Sequence, residues 1–165
     1  MSIRPSLVRA ATIGTASFLL LAGSARPAAA LELTAFLSDA RPSVWGTGVG
    51  GTLSSTWFKV ACFEAELARQ PGVPVDSSMT TFTASALLAP QIGPVTPFGG
   101  FGVGIYRQSR GDSRKNGTLK TFVLGAKVKV GGLVVIRAEY RAISLAGTPL
   151  LDMDKRVSAG IGISF

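Results

Sequence analysis

The sequence predicts an all-β fold: an eight-stranded antiparallel up-and-down transmembrane β-barrel, preceded by a cleavable signal peptide. Three observations support this. The chain begins with an export leader, and after residue 30 no stretch keeps a helical period for long. Instead, apolar residues alternate with small or polar ones in short runs separated by turn residues. A strand with this period presents one apolar face and one polar face, so 165 residues suit one barrel domain behind a leader.

Residues 1–30 have the three parts of a secretory signal peptide in the required order. Arg4 and Arg9 precede an apolar run, and an A-x-A cleavage pattern follows at 28–30. The apolar run is too short for a membrane-spanning helix. Cleavage leaves residues 31–165 and removes three of the 17 basic residues but none of the nine acidic ones, giving a net charge of +5. Scattered basic residues on an exported chain do not indicate nucleic-acid binding.

Eight alternating runs predict eight strands. In the fifth run, for example, Phe101, Val103 and Ile105 share one face, while Gly100, Gly102 and Gly104 share the other. The links between runs are short after the second and sixth runs, and longer and polar after the third, fifth and seventh, as membrane barrels show. The predicted strands are Leu31–Ser38, Val44–Ser54, Trp57–Leu67, Met79–Ala89, Thr96–Arg107, Leu119–Lys129, Leu133–Ile143 and Arg156–Phe165.

The apolar face is predicted to point outward. The interior of an eight-stranded barrel is narrow, and the opposite face is rich in Gly, Ser and Thr, which fit there. The aromatic residues Trp45, Trp57, Tyr106 and Tyr140 lie near loops and turns, where membrane interfaces would be. The alternative is a soluble periplasmic, lipocalin-like barrel with its apolar face inward around a ligand.

Charged residues on the small-residue face are then predicted to line the lumen. The third and seventh strands face each other across the barrel, so their charges should form a buried network, because unpaired buried charges are costly. Lys59 falls on the apolar face near a strand start, where it could reach the headgroups. The predicted network comprises Glu64, Glu66, Arg137, Glu139 and Arg141.

Gly131 and Gly132 predict a hairpin turn between the sixth and seventh strands. A two-residue loop would put the apolar faces out of register. A three-residue loop, Val130-Gly131-Gly132, restores the match by pairing Lys129 with Leu133. Such loops need a residue with positive φ, which glycine supplies.

The residues 31–165 resemble the small eight-stranded outer-membrane β-barrel proteins, of the outer-membrane-protein-A and opacity-protein type. The stretches PVTPFGGFGVGIYR, VLGAKVKVGGLVVIRAEYRAI and RVSAGIGISF carry the resemblance. It implies a place in the cell outer membrane of a Gram-negative-type bacterium, in contact with outer-membrane lipid and lipopolysaccharide. It also implies that the terminal Phe165 is an assembly signal read by the outer-membrane assembly machinery.

The composition argues against catalysis. The chain has no histidine, whereas the enzymes among barrels of this size imply catalytic histidines. No serine has a positioned base. The single cysteine, Cys62, excludes an internal disulfide. We therefore predict no catalytic, cofactor-binding or metal-binding residues, no cofactor, and no enzymatic activity.

The link after the fifth run contains an Arg-Gly-Asp tripeptide, Arg110, Gly111 and Asp112, in a predicted long extracellular loop. Such tripeptides are integrin ligands in adhesion proteins, although three-residue motifs often occur by chance. The predicted function is a structural or surface-interaction role, with adhesion as one form of it, for a monomer whose surface ligand the sequence does not identify. A narrow channel is the alternative within the same fold.

Overall fold

The structure, a computed structural model, describes residues 30–57, 60–73 and 76–165. The predicted signal peptide at 1–30, apart from Ala30, and the predicted headgroup contact of Lys59 lie outside the described residues. No helix in the described part of the chain is long and apolar enough to span a membrane. The strands are β1 (Ala30–Arg41), β2 (Gly48–Trp57), β3 (Ala61–Pro71), β4 (Ser77–Leu88), β5 (Val95–Arg110), β6 (Ser113–Val130), β7 (Val134–Leu145) and β8 (Lys155–Ser164).

The eight strands close into one antiparallel barrel in which each strand pairs with its neighbours in sequence and β8 pairs with β1. The pairing is staggered. A path of directly paired residues that starts at Ala30 returns to β1 at Ala40, ten residues further along the strand. A stagger of this kind accompanies strands tilted by roughly 35–45° from the barrel axis. The path runs through Thr56, Cys62, Leu87, Gly100, Val123, Arg141 and Arg156.

The two ends of the barrel differ. The turn end carries Ala30, Phe165 and the links 58–60, 89–94 and 131–133. The loop end carries the links 42–47, 72–76, 111–112 and 146–154. The expected contrast between short turns and long loops is therefore weaker than predicted, since strand pairing continues into several polar segments.

The wall is apolar on the outside and polar on the inside. Phe101 is 71% exposed and Leu124 56%, while Thr83 and Glu66 on the inner face are each 1% exposed. The prediction that the apolar face points outward is confirmed. A soluble barrel that holds an apolar ligand would need the opposite arrangement.

Glycines on the inner face let neighbouring strands and side chains approach closely. A Cβ on Gly102 would lie 2.3 Å from Ser85 Oγ and 2.9 Å from the Ala84 carbonyl oxygen. A Cβ on Gly104 would lie 2.1 Å from the Phe82 carbonyl oxygen. These positions therefore cannot hold a side chain without displacing the adjacent strand.

Several strand boundaries differ from the prediction, most of all at the start of β6, which begins at Ser113 instead of Leu119, and around β2 and β3. β2 begins at Gly48 rather than Val44, and Trp57 ends β2 instead of beginning β3. The predicted turn at Ser55-Thr56 is part of the strand, because these residues pair with Phe63 and Cys62. Ser55 and Thr56 are both small and polar, so the alternation of apolar and polar residues did not indicate that the strand continued through them.

The turn between β6 and β7 has the predicted length but lies one residue later. Val130 pairs with Val134, and Lys129 with Val135 instead of Leu133. The link is Gly131-Gly132-Leu133, and both glycines adopt positive φ, 61° and 77°. The apolar faces still match, because the shift changes each pairing by two residues and keeps the face of every side chain.

The aromatic prediction is wrong for two of its four residues. Trp57 and Tyr140 are 37% and 40% exposed on the outer wall. Trp45 and Tyr106 are each 3% exposed, inside the loop end. Their polar groups find partners there, since Tyr106 Oη donates to the Ala146 carbonyl oxygen at 3.0 Å.

Candidate functional site

The centre of the lumen holds a cluster of buried charged side chains. Arg141 donates from Nε to Glu139 Oε1 at 2.9 Å and from Nη2 to Glu64 Oε1 at 3.1 Å. The same Nη2 lies 3.0 Å from Glu66 Oε2. Arg137 donates to both Glu64 and Glu139. The structure thus brings together all five residues expected to form a lumen network.

A sixth member, Arg156 on β8, was missed by the sequence analysis. Its Nη2 donates to Glu66 Oε1 at 2.5 Å, and its guanidinium lies 5.2 Å from the centroid of the Phe36 ring. Alternation could have found it, because Arg156 shares the inner face with Ser158. Its partner could not be found in this way, since the ion pair crosses the barrel.

The network is balanced in formal charge. Three carboxylates, of Glu64, Glu66 and Glu139, meet three guanidinium groups, which compensates the cost of removing each charge from water. The carboxylate oxygens lie within 4.8 Å of one another, a spacing that could suit a metal ion. The Arg141 guanidinium lies within 3.1 Å of all three carboxylates, so the arrangement is that of an ion-pair cluster.

A second charged group lies toward the turn end. Lys127 donates from Nζ to Glu32 Oε2 at 2.5 Å, and Lys129 Nζ lies 3.5 Å from Glu32 Oε1. Lys129 also donates to Ser164 Oγ at 2.8 Å. Glu32, Lys127 and Lys129 line a cavity of about 220 Å³ that opens at the turn end. This group was not predicted, although Glu32 shares the inner face with Thr34.

Apolar clusters lie inside the barrel toward both ends. The Arg137 guanidinium lies 4.3 Å from the centroid of the Phe98 ring, so the central network packs directly on the turn-end cluster. The turn-end cluster consists of Cys62, Leu87, Ala89, Phe98 and Val123. The loop-end cluster consists of Ala40, Trp45, Met79, Tyr106, Leu119, Ile143 and Met153.

The links at the loop end are tied to one another across the barrel mouth. Trp45 Nε1 donates to the Asp152 carbonyl oxygen at 2.8 Å, which joins the first link to the last. Gln108, buried on β5, donates from Nε2 to the Leu151 carbonyl oxygen at 2.6 Å. The described residues therefore fill the lumen at its centre and cover it at the loop end.

The segment expected to be a long loop after β5 is a tight hairpin. Arg110 ends β5 and pairs with Ser113, the first residue of β6. The turn is Gly111-Asp112, with φ of 55° at Gly111, as a two-residue hairpin turn requires. Gly111 N donates to the Asp76 carbonyl oxygen at 3.1 Å. The Arg-Gly-Asp tripeptide is exposed at the tip.

This hairpin is strongly basic. Between residues 107 and 120 there are five basic residues and one acidic residue, Asp112, and all six side chains are exposed. The last loop-end link instead carries Asp152 and Asp154. The β5–β6 hairpin is thus the most strongly basic segment at the loop end. The basic residues are Arg107, Arg110, Arg114, Lys115 and Lys120.

Comparison with known proteins identifies solved structures with the same architecture. No family model and no curated protein matches the chain. Among solved structures it is similar to Neisserial surface protein A (TM-score 0.65, 17% identity, 83% of this chain and 96% of that one). It is also similar to the attachment invasion locus protein of Yersinia pestis (TM-score 0.51, 15% identity, 83% and 97%). A third similar structure is the outer-membrane enzyme PagL (TM-score 0.53, 16% identity, 81% and 98%).

The chain has the fold of the small outer-membrane β-barrels. At these identities the likeness concerns the fold, and the same fold serves a protein named for attachment and one named as an enzyme. Function must therefore be argued from the side chains of this barrel.

The last residue of the barrel is bound to its first strand. Phe165 N donates to the Leu31 carbonyl oxygen at 2.8 Å, and Leu31 N donates to the Phe165 carbonyl oxygen at 3.3 Å. The Phe165 side chain is 68% exposed, on the outward face that it shares with Ile163 and Ile161. The aromatic ring thus continues the apolar outer wall to the turn end.

Proposed function

We propose that this protein is a non-enzymatic barrel of the bacterial outer membrane that binds an anionic polymer at the cell surface through the tip of the β5–β6 hairpin. The basic tip, formed by Arg110, Arg114 and Lys115 around a two-residue turn, carries the proposal. Side chains on a short paired hairpin lose less freedom on binding than those on a long loop.

The outward apolar wall supports the membrane location. Leu37, Phe82, Val103 and Ile161 are each between 49% and 63% exposed on different strands. An apolar surface that surrounds a whole barrel is covered by lipid in membrane barrels and would aggregate in water. We propose that the assembly machinery reads Phe165 during insertion.

The filled lumen favours surface interaction over transport. Arg141 and Glu66 close the centre, and both are 1% exposed. A conducting path would require the ion pairs among the three arginines and three glutamates to separate. The absence of histidine from the sequence supports a non-enzymatic role, because it removes the commonest general base.

Location is tested first. Cells that express the full chain are fractionated, and the outer-membrane fraction is run unboiled and boiled on a detergent gel. We expect the protein in that fraction with a heat-dependent change in mobility. A soluble protein whose mobility does not change with heating would contradict the location.

Polymer binding is tested on folded protein in detergent with immobilised heparin as the polyanion. The variant R110Q/R114Q/K115Q should elute at clearly lower salt than the wild type, because exposed charges attract a polyanion in a salt-dependent way. The control R41Q/R69Q/K155Q removes the same charge from other exposed loop-end positions. Equal shifts for both variants would show that net charge, not the hairpin tip, determines binding.

Adhesion through Arg110, Gly111 and Asp112 is the second candidate, favoured by the position of the tripeptide at the exposed tip of a hairpin. Cells carrying the wild-type protein should attach to an integrin-coated surface, and Asp112→Glu should abolish attachment. Attachment that survives this substitution would remove the adhesion hypothesis and leave polymer binding.

A further inference from the structure

The cavity at the turn end of the barrel is lined by more positive than negative charge. Its charged lining residues are Glu32 from β1 and Lys127 and Lys129 from β6, so one carboxylate faces two ammonium groups. The central lumen network, in contrast, contains equal numbers of carboxylates and guanidinium groups. The cavity therefore carries one positive charge that no carboxylate in its lining compensates.

The two lysines already contact one carboxylate together. Lys127 Nζ donates to Glu32 Oε2, and Lys129 Nζ lies 3.5 Å from Glu32 Oε1, so each ammonium group meets a different oxygen of the same carboxylate. Residues two apart on a strand point to the same face, which brings both side chains to the inner side of β6. A spacing that lets the pair contact one oxyanion also suits a second small oxyanion in the adjoining cavity.

Both ammonium groups have donors to spare. Each offers three N–H donors. Among the described residues, the Nζ of Lys127 donates only to Glu32, and the Nζ of Lys129 donates only to Ser164 Oγ. Lys127 is 5% exposed, so its remaining donors have little access to bulk water. A buried donor without an acceptor is costly, and a group that accepts hydrogen bonds inside the cavity would remove this cost.

Neutral polar side chains complete the lining of the cavity. Thr56 comes from β2, Thr96 from β5, and Gln91 from the link between β4 and β5. Hydroxyl and amide groups can donate hydrogen bonds to an anion. A volume of about 220 Å³ corresponds to about seven water molecules at roughly 30 Å³ each. The cavity therefore has room for an anion of the size of phosphate or acetate, together with a few waters.

We propose that the turn-end cavity binds a small oxyanion, a phosphate or a carboxylate, through Lys127 and Lys129. The anion compensates the excess positive charge, which attracts it more strongly inside the barrel than in bulk water because the surroundings are less polar. The Lys129 side chain is 34% exposed and is the group that an entering anion meets first. This inference does not rest on the proposed function, because the cavity and the hairpin tip lie at opposite ends of the barrel.

The test uses the purified barrel folded in detergent, titrated at low ionic strength with sodium phosphate and separately with sodium acetate in a calorimeter. The variant K129M removes the uncompensated charge and should bind the anion at least about tenfold more weakly, since a hydrogen bond to a charged group typically contributes that factor. The variant E32Q removes the competing carboxylate and should bind roughly tenfold more tightly. The control K155M removes the same charge from an exposed position at the loop end and should bind as the wild type does.

Opposite changes in K129M and E32Q would support the site, because a merely structural role for these residues would not raise affinity in either variant. Binding of only one of the two anions would identify the class. Binding of neither to the wild type, unchanged affinity in K129M, or an equal loss in K155M would overturn the proposal. If a variant does not fold, as judged by heat-dependent gel mobility, acetylation of the wild type by an amine-reactive ester decides instead. The anion should slow labelling of Lys129 but not of Lys155, and equal labelling of Lys129 with and without the anion would refute the site.

Discussion

Replacing Arg141 by methionine removes the central cation of the lumen network while keeping a long, unbranched side chain. The guanidinium of Arg141 contacts Glu64, Glu66 and Glu139 within 3.1 Å. Without it, three buried carboxylates face two arginines, and one negative charge is left uncompensated. Removing one partner of a buried ion pair typically costs about 3–5 kcal/mol, and we expect a loss of unfolding free energy in this range.

The assay is equilibrium unfolding of the barrel in lipid vesicles with a chemical denaturant, followed by heat-dependent gel mobility. The double variant R141M/E66Q restores charge balance, with two carboxylates and two arginines. It should recover about 1–3 kcal/mol relative to the sum of the single substitutions, because the two residues are in contact. The control R114M, on the exposed hairpin, should change stability by no more than about 0.5 kcal/mol.

A loss below about 1 kcal/mol for R141M, or strictly additive effects in the double variant, would refute this reasoning. Either result would mean that water or rearranged side chains compensate the carboxylates. The lumen would then be more open than the ion-pair geometry indicates.

Three further predictions test the interior and the chain end. Cys62 should resist a water-soluble maleimide in the folded barrel and react fully after denaturation, because it is 3% exposed within the turn-end cluster; rapid labelling of folded protein would reveal an open lumen. Gly104→Val should destabilise the barrel by about 1–3 kcal/mol in the same unfolding assay, since its Cβ would collide with the Phe82 carbonyl oxygen. Ile105→Val, on the exposed face next to it, should cost less, and the reverse order would contradict the packing argument. Phe165→Ser should lower the amount of heat-modifiable protein in the outer membrane if the assembly machinery reads this residue; unchanged amounts would remove the assembly-signal proposal.

The strand ends are the part of the fold that the sequence pattern predicted least well. The two-residue period located all eight strands because a wall with one lipid-like face and one polar face repeats every second residue. It gave no boundary where both faces are polar, as in the β5–β6 hairpin, whose pairing continues to Arg110 and Ser113. Backbone pairing does not require an apolar face, so the tip was mistaken for a loop.

The candidate site residues likewise differ in how well the sequence predicted them. Glu64, Arg137 and Arg141 were assigned to the lumen from alternation alone. Arg156 lies on the same inner face and could have been assigned in the same way, but its pairing with Glu66, 90 residues away in sequence, depends on closure of the barrel. Trp45 was predicted to lie at a membrane interface because tryptophan residues generally prefer that position. In the structure, the fold of the loop-end links gives its indole a carbonyl partner inside the barrel.

The sequence by itself determined the number of strands, the alternation of their side chains between two faces, and the inside-out distribution of polarity, because these depend only on neighbours along the chain. Only the tertiary structure decided which charges meet, how the lumen is closed, and that the basic segment is a short hairpin. These features depend on the ten-residue stagger that accumulates around the closed barrel. The stagger is the sum of eight separate pairings, so the side chains that meet across the lumen depend on the register of every strand pair.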